Sequence, residues 1–336
     1  MKYSVGYRVQ LDDNFVYEII KRKDSIYEVY CSWGSFPSGR NDQTRSQGLT
    51  PWEAQAKQIA DLEKLSKVGL KLNLLFNANC YGERAQSREL FNEIGQTLDF
   101  ATNFNLTSVT TTSPLIAKFI KQNFAKLDVR ASVNMKIGTV HGMEYVKDFF
   151  DSYYVQREKN RDFTVLKELR KWCDDNGKQM YLLANSGCLN DCSAHTFHDN
   201  LVAHEKEIAK MDNGYAFESV CRKYLAQENN RGWLLSGTNY IRPEDVYLYE
   251  GITPAMKLAT RVHKNPIKIL RAYIDNAKCV GNLTELLEPD HSGTIYPYVL
   301  DNKKVLVSYQ NEKLIYSSDK NTFVKLEDNY AYQQND

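Results

Sequence analysis

Two cysteines and three histidines crowd one stretch, residues 182–205, which reads LLANSGCLNDCSAHTFHDNLVAHE. Cys188 and Cys192 have three residues between them, and His195, His198 and His204 follow, half of the six histidines in the chain. Thiolate and imidazole are ligands for zinc and, in the thiolate case, for iron–sulfur clusters, so the spacing points to a bound metal or cluster. Cys221 lies 29 residues beyond Cys192 and can return to the same place. A closed site needs a fourth ligand. Cys80, in a polar loop (ANCYG) after an apolar run, is the better candidate, because Cys31 falls within a predicted strand. Four thiolates suit either zinc or [4Fe–4S], and a Cys-x3-Cys spacing does not choose between them. A zinc site that uses His195 or His198 is the alternative. Cys173, beside Trp172 on the apolar side of a helix, reads as a core thiol, and so do Cys31 and Cys279.

The second set of chemical residues is cationic. Arg130, Arg157, Arg242 and Arg261 fall at or near the predicted carboxyl ends of strands. A planar guanidinium there can hold an anionic substrate through paired hydrogen bonds. The competing role is ion pairing with neighbours such as Glu158, Glu244 or Asp245. Nucleophile elbows, Walker loops and Gly-rich dinucleotide turns are absent.

The elements that must position these residues alternate. Strands are predicted over 3–9, 26–33, 71–77, 106–112, 129–134, 152–157 and 180–185. Helices follow with apolar faces at the 3.6-residue period, such as Ile59, Leu62 and Leu65 after the Thr50-Pro51-Trp52-Glu53 capping box. A long polar loop, 34–48, is a candidate substrate loop. Two segments, 239–242 and 255–261, compete for the eighth strand. Strand followed by helix, repeated, implies right-handed crossovers and a parallel sheet, and seven such units point to a TIM-like (β/α)8 barrel. The cysteine segment then sits as an insertion after strand 7. The barrel is expected over residues 1–276. Residues 277–336, with strand candidates at 304–308 and 313–316, form a C-terminal extension packed on it.

Bulk properties exclude several classes. The chain has 336 residues, 42% hydrophobic and 12% aromatic, enough for a large core. A formal net charge of +1 favours neither nucleic acid nor membrane. No apolar run reaches the roughly 20 residues of a membrane span, and the opening MKYSVGYRVQLDD lacks the apolar stretch of a signal peptide. The expectation is a cytoplasmic protein with reduced thiols.

Several of these segments resemble the so-called peptidase U32 proteins. Asn185-Ser186-Gly187-Cys188 is similar to that family's strand-end cysteine motif. Lys257-Leu258-Ala259-Thr260-Arg261, with Arg271-Ala272-Tyr273 after it, resembles its Lys-Ile-Glu-Gly-Arg strand and following helix. Ile241-Arg242-Pro243-Glu244-Asp245 resembles the segment before that strand. Ala259 and Thr260 stand where the family strand has Glu and Gly. The resemblance spans residues 3–276 and implies a TIM-like barrel with a [4Fe–4S] cluster, for which Cys80, Cys188, Cys192 and Cys221 are the ligands here. It implies one of two activities: oxygen-independent hydroxylation fed by an external electron donor, or peptide hydrolysis. No Ser/His/Asp set or zinc-protease helix is visible, so a peptidase would have to use Cys or His. A zinc-stabilised barrel that binds a partner without catalysis is the remaining alternative.

Overall fold

A computed structural model of the chain describes residues 1–34, 36–39, 48–275 and 281–326. Most of the candidate substrate loop and Cys279 lie outside the described residues. Eight strands close into a barrel: β1 (Lys2–Gly6), β2 (Ile26–Cys31), β3 (Leu72–Phe76), β4 (Leu106–Thr111), β5 (Asp128–Ala131), β6 (Ser152–Tyr154), β7 (Gln179–Leu183) and β8 (Ala255–Leu258). Each pairs in parallel with its sequence neighbour, and β8 returns to β1 with Tyr3 beside Met256. The fold is a TIM barrel, with helices between the strands.

The strands are almost wholly buried because helices cover their outer faces while side chains fill the inside. The covering helices α1 (Asn14–Lys21), α2 (Pro51–Lys67), α3 (Arg88–Ala101), α4 (Pro114–Asn123), α5 (Val140–Glu144) and α6 (Phe163–Asp175) bury apolar stripes, for example Leu166, Leu169 and Cys173 in α6. Their starts are specified locally. Thr50 and Glu53 form the expected capping box, and Ser113 and Asp162 accept from the third backbone N–H of the helices they precede.

Of the two candidates for the eighth strand, the structure uses Ala255–Leu258. Residues 239–242 meet the chain just beyond β7 through Ile241, whose N–H donates to the Ala184 carbonyl at 2.7 Å. Pro243 then removes a ladder donor and opens a 3-10 turn, Pro243–Tyr249. The connection from β7 to β8 carries the cysteines and is built of short helices, α7 (His195–Ala203), α8 (Glu205–Ile208), Val220–Leu225 and Trp233–Ser236.

The C-terminal region forms two antiparallel pairs, β9 (Tyr298–Leu300) with β12 (Phe323–Lys325) and β10 (Leu306–Gln310) with β11 (Lys313–Ser317). Its backbone is stitched to the barrel. Glu288 exchanges hydrogen bonds with Asn185 and Gly187 at 2.9 Å each, and Phe163 donates to Glu312 at 2.8 Å. Gly187, a lone glycine in sequence, is required by this contact, since a Cβ there would stand 2.5 Å from the Pro289 carbonyl. Among the described residues no helix is long and apolar enough to cross a membrane.

Candidate functional site at the barrel mouth

The barrel interior is closed from below by charge. Arg130 of β5 is 1% exposed and donates from Nη1 to Glu28 of β2 at 2.6 Å, from Nη2 to Asp128 at 2.6 Å and from Nε to Ser152 at 3.0 Å. Asn73, Ser4 and Ser108 also donate to Glu28. Burial pushes the Glu28 carboxyl up, but the charge of Arg130 and these hydrogen bonds outweigh it and hold the group ionised, below the usual range. All three nitrogens of Arg130 are thus taken by protein. Arg242 is likewise held by Asp245, at 2.8 Å, and by Asn302, and its ring neighbour is Tyr316.

Above this layer lies a cavity of about 90 Å³ at the carboxyl ends of the strands, where the fold gathers catalytic groups. Tyr30, Asn77, Arg157, Cys188, Lys257 and Arg261 are among its lining residues. Two of the four expected arginines, Arg157 and Arg261, therefore reach the mouth, while Arg130 and Arg242 do not line it. The Lys257 side chain is buried, with Nζ 4.1 Å from the Tyr30 ring centre and 4.5 Å from that of Tyr154. Burial, reinforced by Arg261 and opposed by Glu28, pushes the Lys257 amine down to about 7.

At the rim, Arg157 sits in the 3-10 turn after β6 and donates to the Cys188 sulfur at 3.2 Å and to His195 Nε2 at 2.7 Å. Because guanidinium only donates, that His195 nitrogen is an acceptor. His198 lies instead against the Phe217 ring. Across the mouth, the loop leaving β3 carries Cys80, which accepts from the Gly82 N–H at 3.4 Å and neighbours His204. His204, between α7 and α8, uses Nδ1 to meet Glu207 Oε2 at 2.5 Å. The adjacent His204, then the Gly82 N–H, hold the Cys80 thiol below its ordinary range. Cys80 and Glu207 in turn lift His204 above the usual imidazole range. A thiol, an imidazole and a carboxylate thus form a relay.

No family model matches the chain. A curated relative, an uncharacterized protease of Methanocaldococcus jannaschii, is 25% identical over 295 residues, 84% of this chain and 81% of that protein. Among solved structures, the U32 peptidase Mk0906 superposes with a TM-score of 0.56 at 12% identity, over 76% of this chain and 91% of that one. The chain resembles the U32 peptidases.

In this U32-like barrel the motif residues have structural work as well. The Asn185 side chain accepts from the Ala259 N–H at 2.6 Å and donates to the Leu286 carbonyl at 2.9 Å, tying the ends of β7 and β8 to the C-terminal region. Thr260 bridges to Gly6 on β1, donating to its carbonyl and accepting its N–H, both at 2.8 Å.

The U32-like barrel does not bring the four candidate thiols together. Cys80 is engaged by His204 and Gly82, Cys188 by Arg157, and Cys221 by Ser219 at 3.1 Å. Among the described residues no three His, Cys, Asp or Glu side chains stand grouped to hold a metal ion. As placed here, these thiols are not grouped as the ligands of a cluster would be. Two groups escaped the sequence reading: Lys257 and Glu207. For Lys257 the signal was present, a single cation between Met256 and Leu258 in a buried strand. Glu207 showed only its spacing of three from His204 on a helix.

Proposed function

We propose that this U32-like protein is a thiol-dependent hydrolase of peptide bonds, with Cys80 as nucleophile, His204 as its acid–base partner and Glu207 orienting the imidazole. The neighbouring Cys80 and His204 at the carboxyl face of the barrel, with Glu207 holding the His204 ring, carry this reading. The relative, an uncharacterized protease, and the structural neighbour, a peptidase, support it. Thiol, base and orienting carboxylate form the arrangement that activates a cysteine nucleophile.

The chemistry follows from the relay. The Cys80 thiolate adds to the amide carbonyl carbon, forming a C–S bond and moving the carbonyl electrons onto oxygen. As the C–N bond breaks, protonated His204 gives its proton to the leaving amine. Water then adds to the thioester, with His204 taking its proton, and the thiolate is restored. Glu207 holds Nδ1, so the other ring nitrogen faces the sulfur in the working tautomer. Casein digestion under reducing conditions tests the reading. The wild type should cleave, Cys80→Ala should abolish cleavage, and His204→Ala should slow it about 10²–10⁴-fold. Cleavage that survives Cys80→Ala, or wild type that leaves casein intact, refutes it.

One observation favours a second reading, an iron–sulfur redox enzyme of the hydroxylating kind. Cys80, Cys188, Cys192 and Cys221 are half-buried in connections leaving β3 and β7, whereas Cys31 and Cys173 are buried. Those four would be the ligands, Arg157 and Arg261 would hold an anionic substrate, and an external donor would supply electrons. Zinc on the same thiols is the non-redox variant. Iron, zinc and acid-labile sulfide analysis of protein purified without oxygen decides among them, a stoichiometric [4Fe–4S] content favouring the redox enzyme.

A further inference from the structure

We propose that the cavity inside the barrel mouth is a second reactive site, where the Lys257 amine captures a small carbonyl compound bearing a carboxylate and binds it as an imine. The site uses none of the Cys80 relay, and Cys80 does not line the cavity.

The amine is the unusual group. Lys257 is 7% exposed and lines the cavity, and its amine makes no hydrogen bond to a described residue. Its nitrogen rests on the faces of Tyr30 and Tyr154. A buried ammonium normally has a carboxylate against it; here the nearby carboxylate, Glu28, is taken up by Arg130. The groups that act on the amine are Glu28 and Tyr30 of β2, Arg130 of β5, Tyr154 of β6 and, after β8, Arg261, and the cavity wall also carries Asp199 and Glu288. Burial and the two cations favour the free base, and the amine is pushed down to about 7. A desolvated, neutral lysine beside cationic groups is the form that adds to carbonyls.

The rest of the cavity sets the ligand class. Its roughly 90 Å³ holds about six to nine water-sized units, the size of a short-chain keto acid rather than a sugar phosphate. Arg157 lines the same cavity and, among the described residues, meets a thiol and an imidazole but no carboxylate. Its fork therefore suits the carboxylate of the ligand. In the step itself, the Lys257 nitrogen lone pair forms a bond to the carbonyl carbon. The two amine protons pass to the former carbonyl oxygen, which leaves as water, so that C=N replaces C=O. Amine plus carbonyl gives imine plus water, with no change of oxidation state.

Pyruvate with sodium cyanoborohydride at pH 7.5 is the probe, since reduction of the imine leaves a stable secondary amine that peptide mass spectrometry locates. An amine at about 7 is mostly neutral there, against roughly one in a thousand for an ordinary lysine. Lys257 should therefore be modified ahead of every surface lysine. Acetone, which lacks the carboxylate, should react at Lys257 ten- to a hundredfold more slowly. Arg157→Gln should bring pyruvate down to the acetone rate while leaving acetone unchanged, and Lys257→Met should remove the modification. Cys80→Ala protein should label like wild type, so loss of casein cleavage and loss of labelling are separable results. Pyruvate that marks only exposed lysines of the folded wild type overturns the proposal. Equal rates for pyruvate and acetone at Lys257 overturn its carboxylate half.

Discussion

Replacing Lys257 by Met should flatten the pH dependence of folding stability above neutrality. In the folded chain the amine titrates at about 7, against an ordinary value of 10.5. Between those values the unfolded chain binds a proton that the folded chain does not, so stability rises with pH. The full penalty, present below the folded value, is about 5 kcal/mol from a 3.5-unit gap at 1.36 kcal/mol per unit. Integrated from pH 7.5 to 9.5, wild type should gain about 2.5 kcal/mol that Lys257→Met does not. Urea denaturation of both proteins at pH 7.5, 8.5 and 9.5 measures the difference, in which every other titrating group cancels. The absolute effect of the substitution is irrelevant; its change with pH is what counts. Two curves that run parallel to within 0.5 kcal/mol across that window would refute the assignment of a neutral amine at this place, using about a fifth of the predicted gain as the threshold.

Three further outcomes are expected. Iodoacetamide should alkylate Cys80 at pH values below the ordinary thiol range, and His204→Ala should move that reactivity to higher pH, as read by peptide-resolved labelling. Glu28→Gln should cost about 3–5 kcal/mol in chemical denaturation, because it leaves the buried Arg130 short of a counter-charge. Cys173, whose thiol burial pushes up to about 11, should resist alkylation in the native state, and Cys173→Ser should lose about 1–3 kcal/mol through an unsatisfied hydroxyl.

The barrel was readable from the sequence because its signals are local. Short β-rich runs and helical apolar stripes recur, and caps at Thr50, Ser113 and Asp162 mark where helices start. The eighth strand was ambiguous because residues 239–242 have strand composition, and only Pro243 and the closure with β1 reject them. The sorting of arginines was out of reach for a different reason. Arg130 and Arg157 look alike in sequence, yet one meets Glu28, 102 residues away, and the other meets a thiol and an imidazole on the β7 connection. Period and propensity carry no information on such pairings. The pairing of Cys80 with His204 is half visible in the sequence: Cys80 reads as a candidate ligand and His204 as one of three clustered histidines, but nothing local joins them.

The hydrogen bonds between Glu288 and the end of β7 bear on how the protein is made. All eight strands have left the ribosome once Leu258 emerges, so the barrel can close while the chain is still being synthesised. The mouth cannot be finished then. Gly187 and Asn185 wait for a partner about 100 residues downstream, and β11 must arrive before Tyr316 can donate to Asp245. The turn that presents Cys188 is thus fixed last, after the scaffold beneath it has formed. A nascent chain stalled with residues 1–270 outside the ribosome should be a protease-resistant barrel with an open top, and the reactive end of the molecule matures only after the C-terminal region emerges.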